Sequence, residues 1–157
     1  MSKIEVDASA IERLTGISVG TLNVWISRNL LPEASANRQG RARRFDEVQA
    51  RHLTIMAALV RLGYPAPFAS MAAFQTRFKW QKPGVHLVIG QPQPVDGAPL
   101  LSSLPTVDVV VVQPTEALSS VPLESFTVVK VDRIVERVRK FMLEANARSG
   151  GVVCRSP

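Results

Sequence analysis

The chain has 157 residues, 46% of them hydrophobic, a formal net charge of +6 and a single cysteine, Cys154. Those figures exclude wholesale disorder and an internal disulfide, and they fit a reducing, cytoplasmic setting. No apolar run reaches the roughly 18 residues of a membrane span, and "MSKIEVDASA" lacks the apolar core and cleavage signature of a secretion signal.

The charge is spread unevenly. Residues 1–83 hold 12 Lys and Arg against 6 Asp and Glu, whereas residues 84–157 hold 7 of each. An excess confined to one half points to an anionic partner for that half. The densest stretch is "RQGRARRF", with Arg38, Arg41, Arg43 and Arg44 among eight residues.

In chain order, "ASAIERLTG" reads as a short helix. Ser9 followed by Glu12 has the spacing of a capping box, Ile11 and Leu14 share a face, and Gly16 suits the left-handed stop. After only a few residues Ser18 can cap a second helix, "VGTLNVWISRNLL". Leu22, Trp25 and Ile26 form its buried stripe. Gly20, Asn23, Val24 and Ser27 point the other way, flanked by Thr21 and Arg28. Asn29 suits the turn that ends it. "LPEASANRQGRARRF" is too charged for a core and reads as a hairpin or loop between helices. Asp46 then caps a long helix with Val48, His52, Ile55, Leu59 and Leu62 at helical spacing, stopped by Gly63. A further helix in "PFASMAAFQTRF" places Phe68, Met71, Ala72 and Phe78 on one side, and "KWQKPG" marks a boundary.

The second half changes period. "VHLVI" (85–89), "VDVVVV" (107–112) and "FTVVKV" (126–131) are rich in β-branched residues and read as strands. "VDVVVV" is apolar on both faces and is expected at the sheet centre. The Pro-rich "GQPQPVDGAPLLSSLP" reads as a loop. A last helix from Asp132 has Ile134, Val135, Val138, Phe141 and Met142 as its apolar stripe, with Arg133, Arg137, Arg139 and Lys140 elsewhere on its surface. The expected fold class is α+β: an N-terminal all-helical winged helix-turn-helix over 1–80, a small β-sheet plus helix over 81–147, and a flexible tail over 148–157.

The motifs carry a resemblance. "IERLTGISVGTLNVWISRNLLP", the arginine-rich loop, and "RARRFDEVQARHLTIMAALVRLGYP" resemble the DNA-binding domain of the MerR family, which small excisionases share in similar form. Leu14, Thr15, Gly16, Ser18, Thr21, Leu22, Leu30, Leu31 and Pro32 follow the family pattern, and Arg43 or Arg44 with Phe45 stands where its wing ends. The Arg-Tyr pair that follows Thr-Leu in the family is Asn23-Val24 here, so base reading must differ: Asn can pair bidentately with adenine, and Val can touch a thymine methyl.

The resemblance implies double-stranded DNA as partner, with Ser18, Gly20, Thr21, Asn23, Val24, Ser27, Arg28, Arg38, Arg41, Arg43 and Arg44 as contacts. Trp25 would anchor the recognition helix, and Phe45 the base of the wing. It implies a transcriptional regulator of bacterial, phage or mobile-element type, or an excisionase bending DNA beside an integrase. An adaptor whose basic face meets an acidic protein is the alternative of another class. The second half does not continue into the long dimerisation helix usual in the family; dimerisation through Ile134, Val138, Phe141 and Met142 is its expected role, with binding of a small effector or of another protein as alternatives. RNA polymerase or an integrase are further candidate partners.

No enzyme activity, metal or cofactor is expected. Asp96, Asp108, Glu116 and Glu124 are scattered rather than paired, and no Cys/His cluster has metal spacing. His52, on an apolar face, reads as a buried histidine with a hydrogen bond rather than a ligand. His86 and Cys154 are isolated.

Overall fold

The computed structural model describes residues 4–31, 43–77, 86–92, 108–112 and 123–149. The first element is β1 (Glu5–Asp7), followed by α1 (Ala8–Thr15) and α2 (Val19–Ser27). Then come β2 (Arg44–Asp46), the central α3 (Glu47–Arg61) and α4 (Ala66–Thr76). Three strands, β3 (His86–Pro92), β4 (Asp108–Val112) and β5 (Leu123–Lys130), lead into α5 (Val131–Ser149). The α+β class is confirmed, with one addition to the helical first half. β1 and β2 form a two-stranded antiparallel ribbon in which Val6 faces Phe45 across the ladder. Both side chains are buried, so the ribbon is pinned to the core.

Local chemistry explains the helix ends. Asp7, not Ser9, caps α1: its Oδ1 accepts the Ala10 amide at 2.8 Å, and the Ser9 hydroxyl donates to the same oxygen at 2.9 Å. Asp7 closes the ribbon in extended backbone one residue before the helix, which is what a cap needs. The capping box expected at Ser9 and Glu12 occurs instead at Asp46 and Gln49, where each side-chain oxygen accepts the other residue's backbone amide across the first turn of α3. Gly16, Asn29 and Gly63 all take positive φ (70°, 55° and 94°) and end α1, α2 and α3 in turn. After α2, Leu30 N–H bonds Trp25 O and Asn29 N–H bonds Ile26 O, both at 3.0 Å, the pattern of a Schellman stop.

α3 is buried on more sides than a single stripe. Ala50 through Ala57 and Leu59 are all buried, while Val48 and Leu62, expected on the apolar face, are exposed. α3 is packed by α1, α4 and α5, so it needs apolar groups around most of its circumference. α4 is turned relative to expectation. Its buried face is Ala69, Ala72, Ala73 and Thr76, and Met71 is exposed. Alanines let α4 approach α3 closely; Phe68 packs partly against the core, and Met71 and Phe74 are left outside. Phe78 lies outside the described residues.

The strand order is β4-β3-β5, antiparallel throughout. β3, not the valine-rich β4, is therefore central, and β4 has one paired edge among the described residues. Leu87, Val88 and Ile89 of β3 are buried on both faces, which suits the middle position. β3 also runs through Gly90 to Pro92, beyond the expected loop start, with an irregularity in its pairing with β5 at Gln91/Pro92.

One core spans both halves. It joins Ile11, Leu22, Trp25, Leu53, Ile55 and Leu59 to Leu87, Ile89, Val129, Val135, Val138 and Met142. The boundary expected near residue 80 does not interrupt it. Tyr64, at the turn after α3, stacks on Phe68 with ring centroids 5.3 Å apart and donates its hydroxyl to Thr127 Oγ1 of β5 at 3.0 Å.

Candidate nucleic-acid interface

α2 presents two unlike faces. Leu22 and Trp25 are buried and Ile26 is half-buried against the core. Ser18, Gly20, Thr21, Asn23, Val24, Ser27 and Arg28 are all exposed. Val24 is 46% exposed, high for a large aliphatic group, and it sits beside Asn23 in the middle of this face. The helix is short, and only a narrow apolar stripe is consumed in holding it.

The polar groups on the face are not equally available. Ser18 Oγ accepts the Thr21 amide at 3.2 Å and lies 3.0 Å from the Thr21 hydroxyl, so these two are occupied in capping the helix. The Ser27 hydroxyl donates to Val24 O at 2.9 Å, which leaves its oxygen as an acceptor. The Asn23 amide has no hydrogen-bond partner among the described residues and can offer both donor and acceptor outward.

Three sets of contacts hold α2 in place. At its start, the Thr15 hydroxyl donates to Ile11 O at 2.8 Å and accepts the Ile17 amide at 3.1 Å, which fastens the turn between α1 and α2. The carbonyls that end α1 are covered by two arginines: Arg137 Nη2 donates to Leu14 O at 2.9 Å, and Arg61 Nη2 donates to Thr15 O. Beyond its end, Leu30 O receives the Ser70 hydroxyl and lies 3.2 Å from His52 Nε2. His52 is buried, and burial first, then the Arg77 charge, pushes its pKa down to about 4 against the pull of the Leu30 carbonyl. The imidazole is therefore neutral near pH 7, and a proton on Nε2 points it at Leu30 O. Sequence reasoning placed His52 inside but did not find the Leu30, Ser70 and Arg137 contacts, which join residues far apart in the chain.

The arginine loop is only partly described. Arg38 and Arg41 lie outside the described residues. Arg43 is half-buried, and its Nε has no hydrogen-bond partner among the described residues. Arg44 is exposed on β2 opposite Asp7 and lines a shallow groove with Glu5, Asp7, Arg13 and Glu144. The Asp7 carboxyl is held below the usual carboxylate range, by the Ala10 amide first and the Ser9 hydroxyl next, with Arg13 and Arg44 adding to it. Arg44 thus has acids of its own protein nearby.

The stripe expected to pair two copies lies inside the protomer. Val138 and Met142 are buried, and Ile134 and Phe141 are half-buried against the same core. α5 packs on α3 and β1, which covers Val138 and Met142 and leaves Ile134 and Phe141 partly exposed.

Two short helices joined by a tight turn, the second exposing a small polar face, form a helix-turn-helix arrangement. Residues 7–69 match the family model described as MerR HTH family regulatory protein. This stretch is a MerR-family-like helix-turn-helix domain, of the kind carried by DNA-binding transcriptional regulators. The match ends within α4, so the sheet and α5 lie outside it. No curated protein matches the chain. Among the described residues no helix is long and apolar enough to cross a membrane.

Proposed function

We propose that the protein is a sequence-specific regulator that binds double-stranded operator DNA through α2, with the arginine loop along the phosphates. The observation that carries this reading is the face of α2: Leu22 and Trp25 are committed to the core, while Asn23, Val24 and Ser27 stand outward with the Asn23 amide unused. A helix entering the major groove needs such a small, polar surface, and phosphate contacts need planar donors such as arginine. Arg28, Arg38, Arg41 and Arg43 supply the backbone grip, with Arg44 in a lesser part. Ser18 and Gly20 allow close approach at the start of the helix, where the amides point outward.

The operator is an inverted repeat with half-sites about one helical turn apart, occupied by two copies. Val138 and Met142 are used within each copy, so from the α5 stripe only the exposed parts of Ile134 and Phe141 can join the contact between copies.

Electrophoretic mobility shift with genomic fragments at rising salt tests the reading. Saturable binding to one fragment is expected, with log K falling against log salt at a slope of roughly −4 to −5 per protomer. No binding even at low salt would remove it. Within a binding fragment, Asn23→Ala should relax preference at one base pair by about 1–3 kcal/mol. An unaltered preference would take Asn23 out of the readout.

A further inference from the structure

The last residues of α1 leave their carbonyls without helical partners, as every helix end does. Gly16 N–H takes Glu12 O at 2.7 Å, but Leu14 O and Thr15 O must find donors elsewhere. Arg61 reaches Thr15 O from α3, inside the helix-turn-helix region. Leu14 O is taken by Arg137, which comes from α5, 123 residues further along the chain. A guanidinium on a carboxy-terminal carbonyl is charge-assisted and sits at the negative end of the helix dipole.

The location gives this bond more than a local meaning. Only Gly16, Ile17 and Ser18 separate α1 from α2, and the Thr15 hydroxyl stiffens that link. A displacement of the α1 end therefore passes into the start of α2. Arg137 itself projects from a helix whose Val131, Val135, Val138 and Met142 are anchored in the common core. It is exposed along much of its length, so the core does not require its presence.

We propose that Arg137 is a positioning residue for DNA recognition: by holding Leu14 O, it lets the sheet-and-helix half of the chain set where the recognition helix begins. This rests on α2 being the DNA-reading helix. The second half is then part of the reading apparatus rather than an appended module.

The test uses the full chain with Arg137→Ala, Arg137→Lys and Arg139→Ala. Arg139 sits two residues on in the same helix, 62% exposed and 3.7 Å from Glu47, so its removal takes away one equal charge without touching Leu14. Affinity for the operator fragment is measured across salt, at a temperature where every variant is folded by circular dichroism. Arg137→Ala should bind roughly tenfold more weakly, with the salt slope unchanged. Arg137→Lys should recover part of the loss, and Arg139→Ala should bind as the parent does.

A slope reduced by about one would mean that Arg137 grips phosphate directly, and it would overturn the proposal. So would equal losses in Arg137→Ala and Arg139→Ala. Hydrogen exchange of the DNA-free protein supplies a second readout. The amides of Ile17 to Leu22 should exchange faster in Arg137→Ala than in the parent, and unchanged exchange there would also sink the idea. A parent protein that binds no duplex would count against the DNA reading, while the exchange result would still decide the Arg137 contact.

Discussion

His52 gives the chain a stability that depends on pH in a defined direction. Its folded pKa is about 4, against an ordinary value of 6.5. The unfolded chain therefore takes up a proton through the range between those values, and the folded chain does not. Stability from this group is complete above the ordinary value and is lost as pH falls toward 4. Between pH 7 and pH 5 the loss is about 2 kcal/mol, from the two pKa values and about 1.4 kcal/mol per unit. For a chain of this size that corresponds to a melting temperature about 4–8 °C lower at pH 5. The assay is thermal unfolding followed by circular dichroism at several pH values, for the parent and for His52→Gln. Gln keeps a donor able to face Leu30 O but does not titrate, so its profile should be flatter by that amount. Asp7 does not confuse the comparison, because its carboxyl is held below the usual range and acts only at lower pH. Equal slopes for parent and His52→Gln between pH 7 and pH 5 would refute the reasoning.

Other outcomes follow from the same geometry. Removing Arg38 and Arg41 together should shrink the salt slope of DNA binding by about two, whereas Arg44→Ala, beside Glu5, Asp7 and Glu144, should change it by less than one; salt titrations of each variant check this. Gly16→Ala puts a Cβ 2.7 Å from Arg61 Nη2 at a φ of +70°, and urea unfolding should show a loss of about 1–2 kcal/mol. Met142→Ala empties a site in the core and should cost about 2–5 kcal/mol. Light scattering should show the same mass for Met142→Ala as for the parent, because Met142 faces its own chain.

Much of the helix-turn-helix unit can be read from local pattern. Leu22, Trp25 and Ile26 fall at helical spacing, Ser18 and Asp46 sit where caps belong, and Gly16 and Asn29 stand at left-handed stops. Features that depend on distant partners cannot be read in this way. β1 is three residues long, too short for an alternating pattern, and exists because Val6 finds Phe45 some forty positions on. The order of strands is equally hidden. "VDVVVV" looks more central than "VHLVI", yet β5 pairs on the other side of β3, so among the described residues β4 has one paired edge. On α4 the alanines form the fully buried face, with Phe68 packed partly against the core and Met71 and Phe74 exposed, because closeness to α3 outweighs size. The α5 stripe was legible as apolar. Its partner was not, since the same stripe suits a second copy or the chain's own α3. The clamps on Leu14 and Leu30 involve backbone carbonyls, which leave no mark in a sequence.

The ribbon of β1 and β2 has a practical corollary. The strand that pairs with β2 is Glu5–Asp7, and the struts on either side of α2 come from α3, α4 and α5. A fragment trimmed to residues 7–69 would keep every exposed side chain of α2. It would nonetheless strip Phe45 of its neighbour Val6 and leave Leu14 O without its cap. Such a miniature should fold loosely and bind poorly, and whoever wants a minimal DNA reader from this protein must take nearly all of it.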